Sequence, residues 1–428
     1  MTSVLVSHPH AATVANGTAA GFAQSGRLSV YVTGIATVPG RPAATLLRSM
    51  GGRMPTTENR VLYGLSTSDL VALGPVEGAA RLLSRLAKFA GLSGPSVYDA
   101  MYVAHDAAVA LLPWPKTTGI VFAYEDAALW TFQRARREGL ERIWHLPIPH
   151  YQTLEKMWIE ETARWPGAMG DRPPIEPEWK KRRKSSELLL ADRISVPSQY
   201  TAQSVERAGA TVPIIVTPYG FPVDQFPAKS RYVDGPFTVM SVGTHDLRKG
   251  TPYLLEAWRK AGLKNARLRL VGPINLTKQF VDRYAGLFEH VSHIPRKLIP
   301  EAFRTADVLL LPTLGDGCPL VVQEAMCSGT PVITTPCGNG PDFITTGNDG
   351  WVIPERDVDA LVDYLRIAAA DRDRTLEIGR AARRRAEAWT WTEAALALTA
   401  AIDRRPSVAS VVQPESRATV GRSASSRL

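Results

Sequence analysis

The 428-residue sequence predicts an α/β protein in which two doubly wound parallel-sheet domains face each other across a cleft. Short apolar runs alternate with helical patterns from one end of the chain to the other. These runs are continuously apolar, as expected for parallel strands that are buried on both faces. The alternation restarts near Pro236, after the turn-rich stretch Pro218–Gly235, so a second domain is expected to begin there.

The apolar runs and the patterns between them predict the individual elements in order. Six strands are predicted in the first half, at Val4–Ser7, Ser29–Thr33, Gly119–Ala123, Arg142–Leu146, Ile194–Pro197 and Ile214–Thr217. Five follow in the second half, at Phe237–Val242, Arg267–Val271, Val308–Leu311, Val332–Thr334 and Trp351–Ile353. Helices are predicted at Arg81–Ala90, Asp126–Glu138, Glu187–Ala191 and Leu320–Cys327. The resulting units are an N-terminal domain (1–218), a linker (219–235), a C-terminal domain (236–385), a helix considered to cross back to the N-terminal domain (386–405) and a tail (406–428).

Composition excludes several classes of protein. With 45% apolar and 21% charged residues, the chain is neither disordered throughout nor a coiled coil or collagen. The formal charge is +9, of which residues 404–428 contribute +4, so the body lacks the dense basic surface of a nucleic-acid binder. The tail 406–428 is rich in Ser, Arg and Val without a period and is predicted to be disordered.

A cytoplasmic protein is expected. The start MTSVLVSHPH does not resemble a signal peptide, and no apolar run reaches the length of a membrane span. The three cysteines form no C-x-x-C pair and are expected to be reduced. The basic run 180–184 is interpreted as a solvated helix face, with contact to an anionic lipid or a phosphorylated acceptor as the alternative. A peripheral contact with the inner face of the membrane therefore stays open.

The most informative segment is ADVLLLPTLGDGCPLVVQEAMCSGTPVITT, residues 306–335. It predicts a strand, a turn-rich loop that carries Asp316, and a helix with Glu324 about one turn inside. Such a helix start offers unpaired N–H groups and a positive dipole end to an anion, although Pro319 has no N–H to donate. Asp316 is then placed to accept from sugar hydroxyls and Glu324 from a cis-diol such as a ribose. The alternative is a pair of ordinary surface acids.

A second segment, FTVMSVGTHDLRKGTPYLLEAW (237–258), places two cations before a helix. Its strand ends at Gly243, and Thr251-Pro252 is interpreted as an N-cap followed by a proline at the first helical position. Arg248 and Lys249 precede this helix, where cations can meet a pyrophosphate. The G-x-x-x-x-G-K-[ST] pattern of a Walker A loop is absent. Two solvated basic residues are the alternative.

These two segments resemble those of retaining glycosyltransferases with two Rossmann-like domains, the GT-B fold, and in particular glycosyltransferase family 4 (group 1). Asp316 and Glu324 match the two acids of the family's Glu/Asp-x7-Glu motif. Lys249 matches the lysine that contacts the donor diphosphate in that family. The resemblance is strong over 185–395 and weak over 1–150.

The sequence departs from the family pattern at two places. Cys318-Pro319 stands where the family usually has Phe-Gly or Phe-Pro, which alters the predicted sugar pocket. Thr244 stands where an arginine often follows the strand's glycine. Arg248 is therefore assigned as the second cation.

The resemblance implies transfer of a sugar from a nucleotide-diphosphate sugar to an acceptor hydroxyl with retention of anomeric configuration. The C-terminal domain would hold a UDP-, GDP-, ADP- or dTDP-sugar, and the N-terminal domain a carbohydrate or lipid-linked acceptor. Lys249, Arg248 and the helix start at Leu320 would stabilise the leaving diphosphate, and no metal cofactor is expected. The family favours a role in bacterial surface polysaccharide or glycoconjugate synthesis.

The other predicted site residues lie at the ends of predicted strands. For the donor they are Gly243, Thr244, Gly272, Pro295, Arg296, Gly317, Cys318, Leu320 and Val321. For the acceptor they are His8, His10, Glu125 and Asp126, of which the last two are equally read as caps of the next helix. His145 and His150 both remain candidates for the family's cleft histidine, each with a structural, hydrogen-bonded histidine as its alternative.

Three other functions stay open at this point. An epimerase or hydrolase of nucleotide sugars on the same fold would need no acceptor. A paired-carboxylate glycoside hydrolase would leave Lys249 unexplained. A non-catalytic partner subunit is compatible with the departures at Cys318 and Thr244.

Overall fold

The computed structural model describes residues 2–45, 60–89, 97–170, 173–404 and 410–411. They form two α/β domains, each built on a sheet whose strands all run parallel, so the predicted fold class is confirmed. None of the helices in these ranges is long and apolar enough to cross a bilayer.

The N-terminal domain contains an eight-stranded sheet. Its strands are β1 (Ser3–Ser7), β2 (Leu28–Thr33), β3 (Leu70–Ala72), β4 (Thr118–Tyr124), β5 (Glu141–His145), β6 (Arg193–Val196), β7 (Ile214–Val216) and β14 (Ser410–Val411). Their order in space is β14-β7-β6-β5-β4-β1-β2-β3. The accompanying helices are α1 (Thr13–Gln24), α2 (Gly74–Phe89), α3 (Val97–Leu111), α4 (Leu129–Arg137), α5 (Tyr151–Arg164), α6 (Glu178–Leu190) and α7 (Gln199–Arg207). Of the predicted disordered tail, only β14 lies within the described residues, where it pairs with β7.

The C-terminal domain contains a six-stranded sheet. Its strands are β8 (Phe237–Val242), β9 (Ala266–Val271), β10 (Glu289–Val291), β11 (Val308–Leu311), β12 (Val332–Thr334) and β13 (Trp351–Val352). Their order is β10-β9-β8-β11-β12-β13. The helices are α8 (Thr251–Ala261), α9 (Lys278–Val281), α10 (Ile299–Arg304), α11 (Leu320–Cys327), α12 (Gly340–Phe343), α13 (Val358–Ala370), α14 (Arg372–Glu387) and α15 (Trp391–Asp403).

All eleven predicted strands are present, but β3, β10 and β14 are not predicted from the sequence. The helix predicted at Glu187–Ala191 is the end of the longer helix α6 (Glu178–Leu190). The helix predicted to begin at Asp126 begins at Leu129, because Asp126 has a φ of 71° and turns the chain before the helix. The predicted N-cap at Thr251 is wrong by one residue: Gly250 is the N-cap of α8. The helix predicted at 81–90 starts earlier, at Gly74, and residue 90 lies outside the described ranges.

The two domains exchange packing elements. Residues 151–170, here called the α5 segment, lie within the N-terminal domain in sequence, yet Met157 and Ala168 are buried in the core of the C-terminal domain. In the opposite direction, α15 lies on α1 and contributes Leu398 to the N-terminal core. Each domain is therefore completed by a segment that lies beyond its predicted boundary.

The basic run 180–184 is not a solvated helix face, and that interpretation is wrong. The side chain of Lys184 is 3% exposed, and its Nζ lies 2.9 Å from Glu176 and 3.2 Å from Glu125. Arg183 is buried against Asp106. Through these ion pairs, Lys184 and Arg183 hold α6 to the rest of the domain. They therefore do not form a surface for a lipid or a phosphorylated acceptor.

Candidate active site

Asp316 is the centre of a buried cluster of charges in the loop between β11 and α11. Lys249 Nζ and Thr313 Oγ1 each donate a hydrogen bond of 2.7 Å to its Oδ2. Arg248 donates to its Oδ1 and, at 2.9 Å, to the carbonyl oxygen of Gly315. Burial would raise the pKa of Asp316, but Lys249 and Arg248 outweigh burial and hold this pKa well below its usual range. Asp316 is therefore an ionised carboxylate at the carboxyl edge of the C-terminal sheet.

The turn before α8 sets the position of Lys249. Asp246 Oδ1 accepts a 2.8 Å hydrogen bond from the backbone N–H of Lys249, which fixes the turn. Gly250 follows with a φ of 68°, and a Cβ atom placed on it would lie 1.9 Å from the carbonyl oxygen of Pro312. Only glycine permits this approach, which presses the turn after β8 against the loop that carries Asp316.

Glu324 lies in α11 and forms an ion pair with Arg296. The Glu324 carboxylate is 7% exposed and accepts from the Arg296 guanidinium, whose side chain is 42% exposed. Burial raises the pKa of Glu324, and Arg296 opposes that effect. The guanidinium carbon of Arg296 also lies 5.4 Å from the centre of the Phe226 ring. A buried carboxylate thus has a partly solvated partner that a ligand can displace.

The other residues predicted for the donor lie in loops after strands of the C-terminal sheet and in the first turn of α11. Gly243 and Gly272 end β8 and β9, and a Cβ on Gly272 would lie 2.1 Å from the carbonyl oxygen of Gly243, so the two strand-end loops touch. Cys318 is buried, with Asn339 Nδ2 donating to its Sγ at 3.0 Å. The rest are Thr244 after Gly243, Pro295 before Arg296, Gly317 before Cys318, and Leu320 and Val321 in the first turn of α11.

The two candidate histidines have different surroundings. His145 ends β5, where Nε2 lies 2.8 Å from the Tyr219 hydroxyl and Nδ1 lies 3.1 Å from Ser195 Oγ. Burial lowers the pKa of His145 to about 3, so it is neutral and engaged at both nitrogens. His150 is the N-cap of α5, and its ring nitrogens have no hydrogen-bond partner within the described ranges. Burial lowers the pKa of His150 to about 4.

The residues predicted for the acceptor follow β1 and β4. His8 is buried, its Nδ1 lies 2.5 Å from the carbonyl oxygen of His10, and burial lowers its pKa. Glu125 and Asp126 lie within 3.2 Å of Lys184 and 3.3 Å of Lys180, respectively. Burial raises the pKa of Glu125 to about 7, with Lys184 opposing.

The alternative in which Glu125 and Asp126 cap the next helix is wrong. The first N–H groups of α4 are satisfied from elsewhere in the chain, because Asp106 accepts from the backbone of Trp130 and Thr131 at 2.8 and 2.9 Å. Glu187 accepts from the backbone N–H of Ala128 at 3.0 Å. Glu125 and Asp126 therefore have no capping role at α4.

Sequence reasoning missed the ionic contacts that join the domains beside this site. Arg356, after β13, binds Glu161 of the α5 segment at 2.6 Å and Glu160 at 2.9 Å. Glu161 also accepts a 2.7 Å hydrogen bond from the Tyr253 hydroxyl. A groove of about 580 Å³ lies here, between α5, α7 and Leu314 of the acid loop. A local sequence pattern cannot predict ion pairs whose two members are almost 200 positions apart.

Part of the chain is similar to the glycosyltransferase group 1 family. Residues 236–371 match the family model described as "Glycosyl transferases group 1". The chain is 26% identical, over 60% of its length, to the D-inositol 3-phosphate glycosyltransferase of Paenarthrobacter aurescens (strain TC1), of which it covers 66%. It is 29% identical, over 36% of its length, to WcaL of Salmonella typhimurium, whose name assigns it to colanic acid biosynthesis, and covers 41% of that protein.

A solved structure shares the two-domain fold. The structure is similar to that of Anabaena HepE in complex with UDP and glucose, with a TM-score of 0.59 at 12% identity. The match covers 94% of this chain and 99% of the HepE chain. The fold is therefore that of GT-B glycosyltransferases.

Proposed function

We propose that this protein is a retaining glycosyltransferase that moves a sugar from a nucleotide-diphosphate sugar to an acceptor hydroxyl. The observation that carries the proposal is the Asp316 carboxylate, which Lys249 and Arg248 hold ionised in the loop that leads into the helix of Glu324. Two acids and two cations at the carboxyl edge of a parallel sheet fit a ligand with both hydroxyl and phosphate groups.

The two cations are suited to the departing diphosphate. An ammonium group has three N–H donors and a guanidinium five, so Lys249 and Arg248 can bind phosphate oxygens while keeping contact with Asp316. Negative charge grows on the diphosphate as the glycosidic bond breaks. The contacts of Lys249 and Arg248 then strengthen in the transition state, which is the condition for raising the rate of the chemical step.

The two acids divide the hydroxyl groups of the donor between them. Asp316 is ionised and therefore acts only as an acceptor, which suits sugar hydroxyls. Glu324 would exchange its bond to Arg296 for the cis-diol of a ribose. This assignment needs no metal ion.

The acceptor is assigned to the N-terminal domain, at the strand ends with His8, His10, Glu125 and Asp126. His150 is assigned to the same side, because its ring nitrogens have no hydrogen-bond partner among the described residues. The names of the two relatives, one with an inositol phosphate and one with colanic acid, support a carbohydrate or lipid-linked acceptor. We place the reaction in bacterial surface polysaccharide or glycoconjugate synthesis.

A thermal-shift panel of UDP-, GDP-, ADP- and dTDP-sugars tests the donor. The right donor, at about 100 times its dissociation constant, should add roughly 2.7 kcal/mol to the free energy of unfolding. NMR of the first-formed glycoside then tests retention, and an inverted anomeric centre would overturn it. Epimer or free sugar formed rapidly from the donor alone would instead indicate an epimerase or hydrolase.

A further inference from the structure

A largely buried cluster of acids and lysines lies at the carboxyl edge of the N-terminal sheet. Helices α3 and α6 precede strands β4 and β6, so each begins at this edge, near the loop that follows β4. Lys180 Nζ lies 2.9 Å from an Asp99 oxygen and 3.2 Å from a Glu176 oxygen. It also lies 3.3 Å from Asp126. Four acids and two lysines meet here and are called the β4 cluster: Asp99, Glu125, Asp126, Glu176, Lys180 and Lys184.

The acids of the β4 cluster outnumber its lysines. Lys184 Nζ lies 2.9 Å from Glu176 and 3.2 Å from Glu125, so that even without Asp99 three carboxylates share two ammonium groups. Burial raises the pKa of Glu125 to about 7, and Lys184 opposes this rise. Asp126 and Glu176 add to it. The cluster therefore holds more negative charge than its lysines neutralise, and a further cation would be favoured there.

The neighbouring Arg183 does not supply that cation. Its guanidinium is buried against Asp106, and its Nε lies 3.4 Å from Glu187. Toward the β4 cluster, Arg183 Nε donates at 2.9 Å to the backbone carbonyl oxygen of Asp126 and not to the carboxylate. Within the part of the chain that the structure describes, Arg183 thus serves a separate pair of acids.

His150 is an independent sign of a ligand at the same edge. The residue is 1% exposed, and neither ring nitrogen has a hydrogen-bond partner among the described residues, which is rare for a buried polar group. Burial lowers the pKa of His150 to about 4; Lys184 contributes to this lowering and Glu176 opposes it, so the ring lies beside the cluster. A neutral imidazole offers one N–H donor and one acceptor nitrogen, which suits a hydroxyl group.

Tyr102 of α3 connects the β4 cluster to the strand end of β1. Its ring centre lies 6.0 Å from that of His10 and 6.3 Å from that of His8. Burial raises the pKa of Tyr102, and Asp126 and Glu125 raise it further, so its phenol group is close to these acids. The cluster is therefore continuous with the strand ends to which the acceptor is assigned, and an aromatic face that can attract a cation lies next to it.

We propose that the acceptor of this enzyme is an amino sugar whose protonated amino group binds to the β4 cluster. An ammonium group has three N–H donors, which form charge-assisted hydrogen bonds with carboxylates. The hydroxyl groups of such a sugar can bond to His150. A metal ion fits less well, because within the described ranges no group of three or more His, Cys, Asp or Glu side chains is arranged to hold one. The inference rests on the proposed function, since it names the acceptor of that reaction.

Thermal unfolding of the full-length protein without donor tests the binding of the amine. D-glucosamine should raise the melting temperature at neutral pH, and N-acetyl-D-glucosamine, whose nitrogen is uncharged, should not. Glu176→Gln should weaken glucosamine binding about 10-fold, because a charge-assisted hydrogen bond is lost. Lys180→Met should strengthen it, because this lysine competes for the same acids. The control Glu178→Gln removes an acid that is 72% exposed in the first turn of α6 and should leave glucosamine binding unchanged.

Equal shifts by the two sugars, or no shift by either, would overturn the proposal. So would equal glucosamine binding by the Glu176→Gln and Glu178→Gln proteins, or stabilisation by Mg²⁺ or Ca²⁺ that Glu176→Gln abolishes, which would indicate a metal site. Circular dichroism of each variant distinguishes lost binding from lost folding.

Sugar transfer separates this inference from the proposed function. Transfer to N-acetylglucosamine as fast as to glucosamine would reject the amino group and keep the glycosyltransferase. Binding of glucosamine without transfer from any of the UDP-, GDP-, ADP- or dTDP-sugars would reject the glycosyltransferase and keep the binding site for an amine.

Discussion

Gly317 lies directly against the backbone of Pro147, so that a Cβ atom placed on Gly317 would be 1.9 Å from the Pro147 carbonyl oxygen. Gly317 follows Asp316 in the C-terminal domain, whereas Pro147 belongs to the loop after β5 in the N-terminal domain. The loop with the central acid is therefore in van der Waals contact with the opposite domain.

We expect Gly317→Ala to separate these loops and to lower both stability and turnover. A methyl group without space typically costs about 1–3 kcal/mol, and the displaced loop carries Asp316. Thermal unfolding and donor turnover measure the two effects. Gly78→Ala is the control, since no atom of the described residues lies within 4 Å of its added Cβ and the substitution within a helix should be neutral or stabilising. Unaltered turnover in Gly317→Ala would show that this contact does not position Asp316.

Removal of Lys249 should slow the chemical step more than it weakens donor binding. A preorganised donor that meets developing charge contributes roughly 2.7–4 kcal/mol, or about 100- to 1000-fold in kcat. Lys249→Ala should show that loss, and Lys249→Arg should recover part of it because the charge remains. Steady-state kinetics compares them with Lys278→Ala, which removes a lysine that is 87% exposed. A rise in KM alone would assign Lys249 to ground-state binding.

Asp316→Asn should lower the stability of the donor-free protein and increase the stabilisation that a bound nucleotide provides. The substitution leaves Lys249 and Arg248 without their shared anion in a largely buried place, for which about 3 kcal/mol is a typical cost. A nucleoside diphosphate should restore part of that loss, since its phosphates replace the missing charge. Chemical denaturation with and without nucleotide measures both effects. Asp359→Asn, at a 74% exposed position, should change stability little. Equal behaviour of the two variants would refute the cluster's role.

Glu324→Ala should weaken the binding of the nucleotide itself. Loss of a charge-assisted hydrogen bond to a ribose costs roughly 1.5–3 kcal/mol, which is about 10- to 100-fold in the dissociation constant. Isothermal titration with the free nucleoside diphosphate measures it, and Glu301→Ala, at a 56% exposed position, serves as the control. Unchanged affinity in a folded Glu324→Ala protein would remove Glu324 from the ribose site.

His145 should make folding sensitive to acid. Its folded pKa is about 3 against an ordinary value of 6.5, so the unfolded chain takes up a proton between these values and the folded protein does not. Its contribution to stability is complete above pH 6.5 and is lost as the pH falls toward 3. Between pH 6.5 and 5 this amounts to about 2 kcal/mol.

Urea unfolding of His145→Gln at pH 5, 6 and 7 tests whether His145 causes this loss of stability at acidic pH. The variant should start less stable at pH 7, because the contacts with Tyr219 and Ser195 are perturbed. It should then lose less stability on acidification than the unaltered protein. Curves that run parallel between pH 7 and 5 would mean that His145 is protonated in the folded state.

The parts of the site that sequence could predict are those that lie close together along the chain. The strand, loop and helix around Asp316 and Glu324 are encoded within thirty residues, and each was predicted at its observed place. The sequence wrongly predicts that the basic run 180–184 is a solvated helix face, because its partners, such as Asp106 and Glu125, are distant in sequence. The same holds for the bond between Arg356 and Glu161. Local patterns predict which element a residue occupies, whereas the burial of a charge depends on what folds over it.

The exchange of packing elements between the domains has a consequence for dissecting the protein. A fragment that ends at residue 218 would keep the α5 segment but lose the C-terminal domain that covers it. Met157 and Ala168 would then be exposed to solvent. The same fragment would lack α15, whose Trp391 sits against Gly17 of α1. Each half would expose an apolar surface that is buried in the intact protein, and would therefore self-associate. Soluble fragments are expected only when both halves are produced together and reassemble.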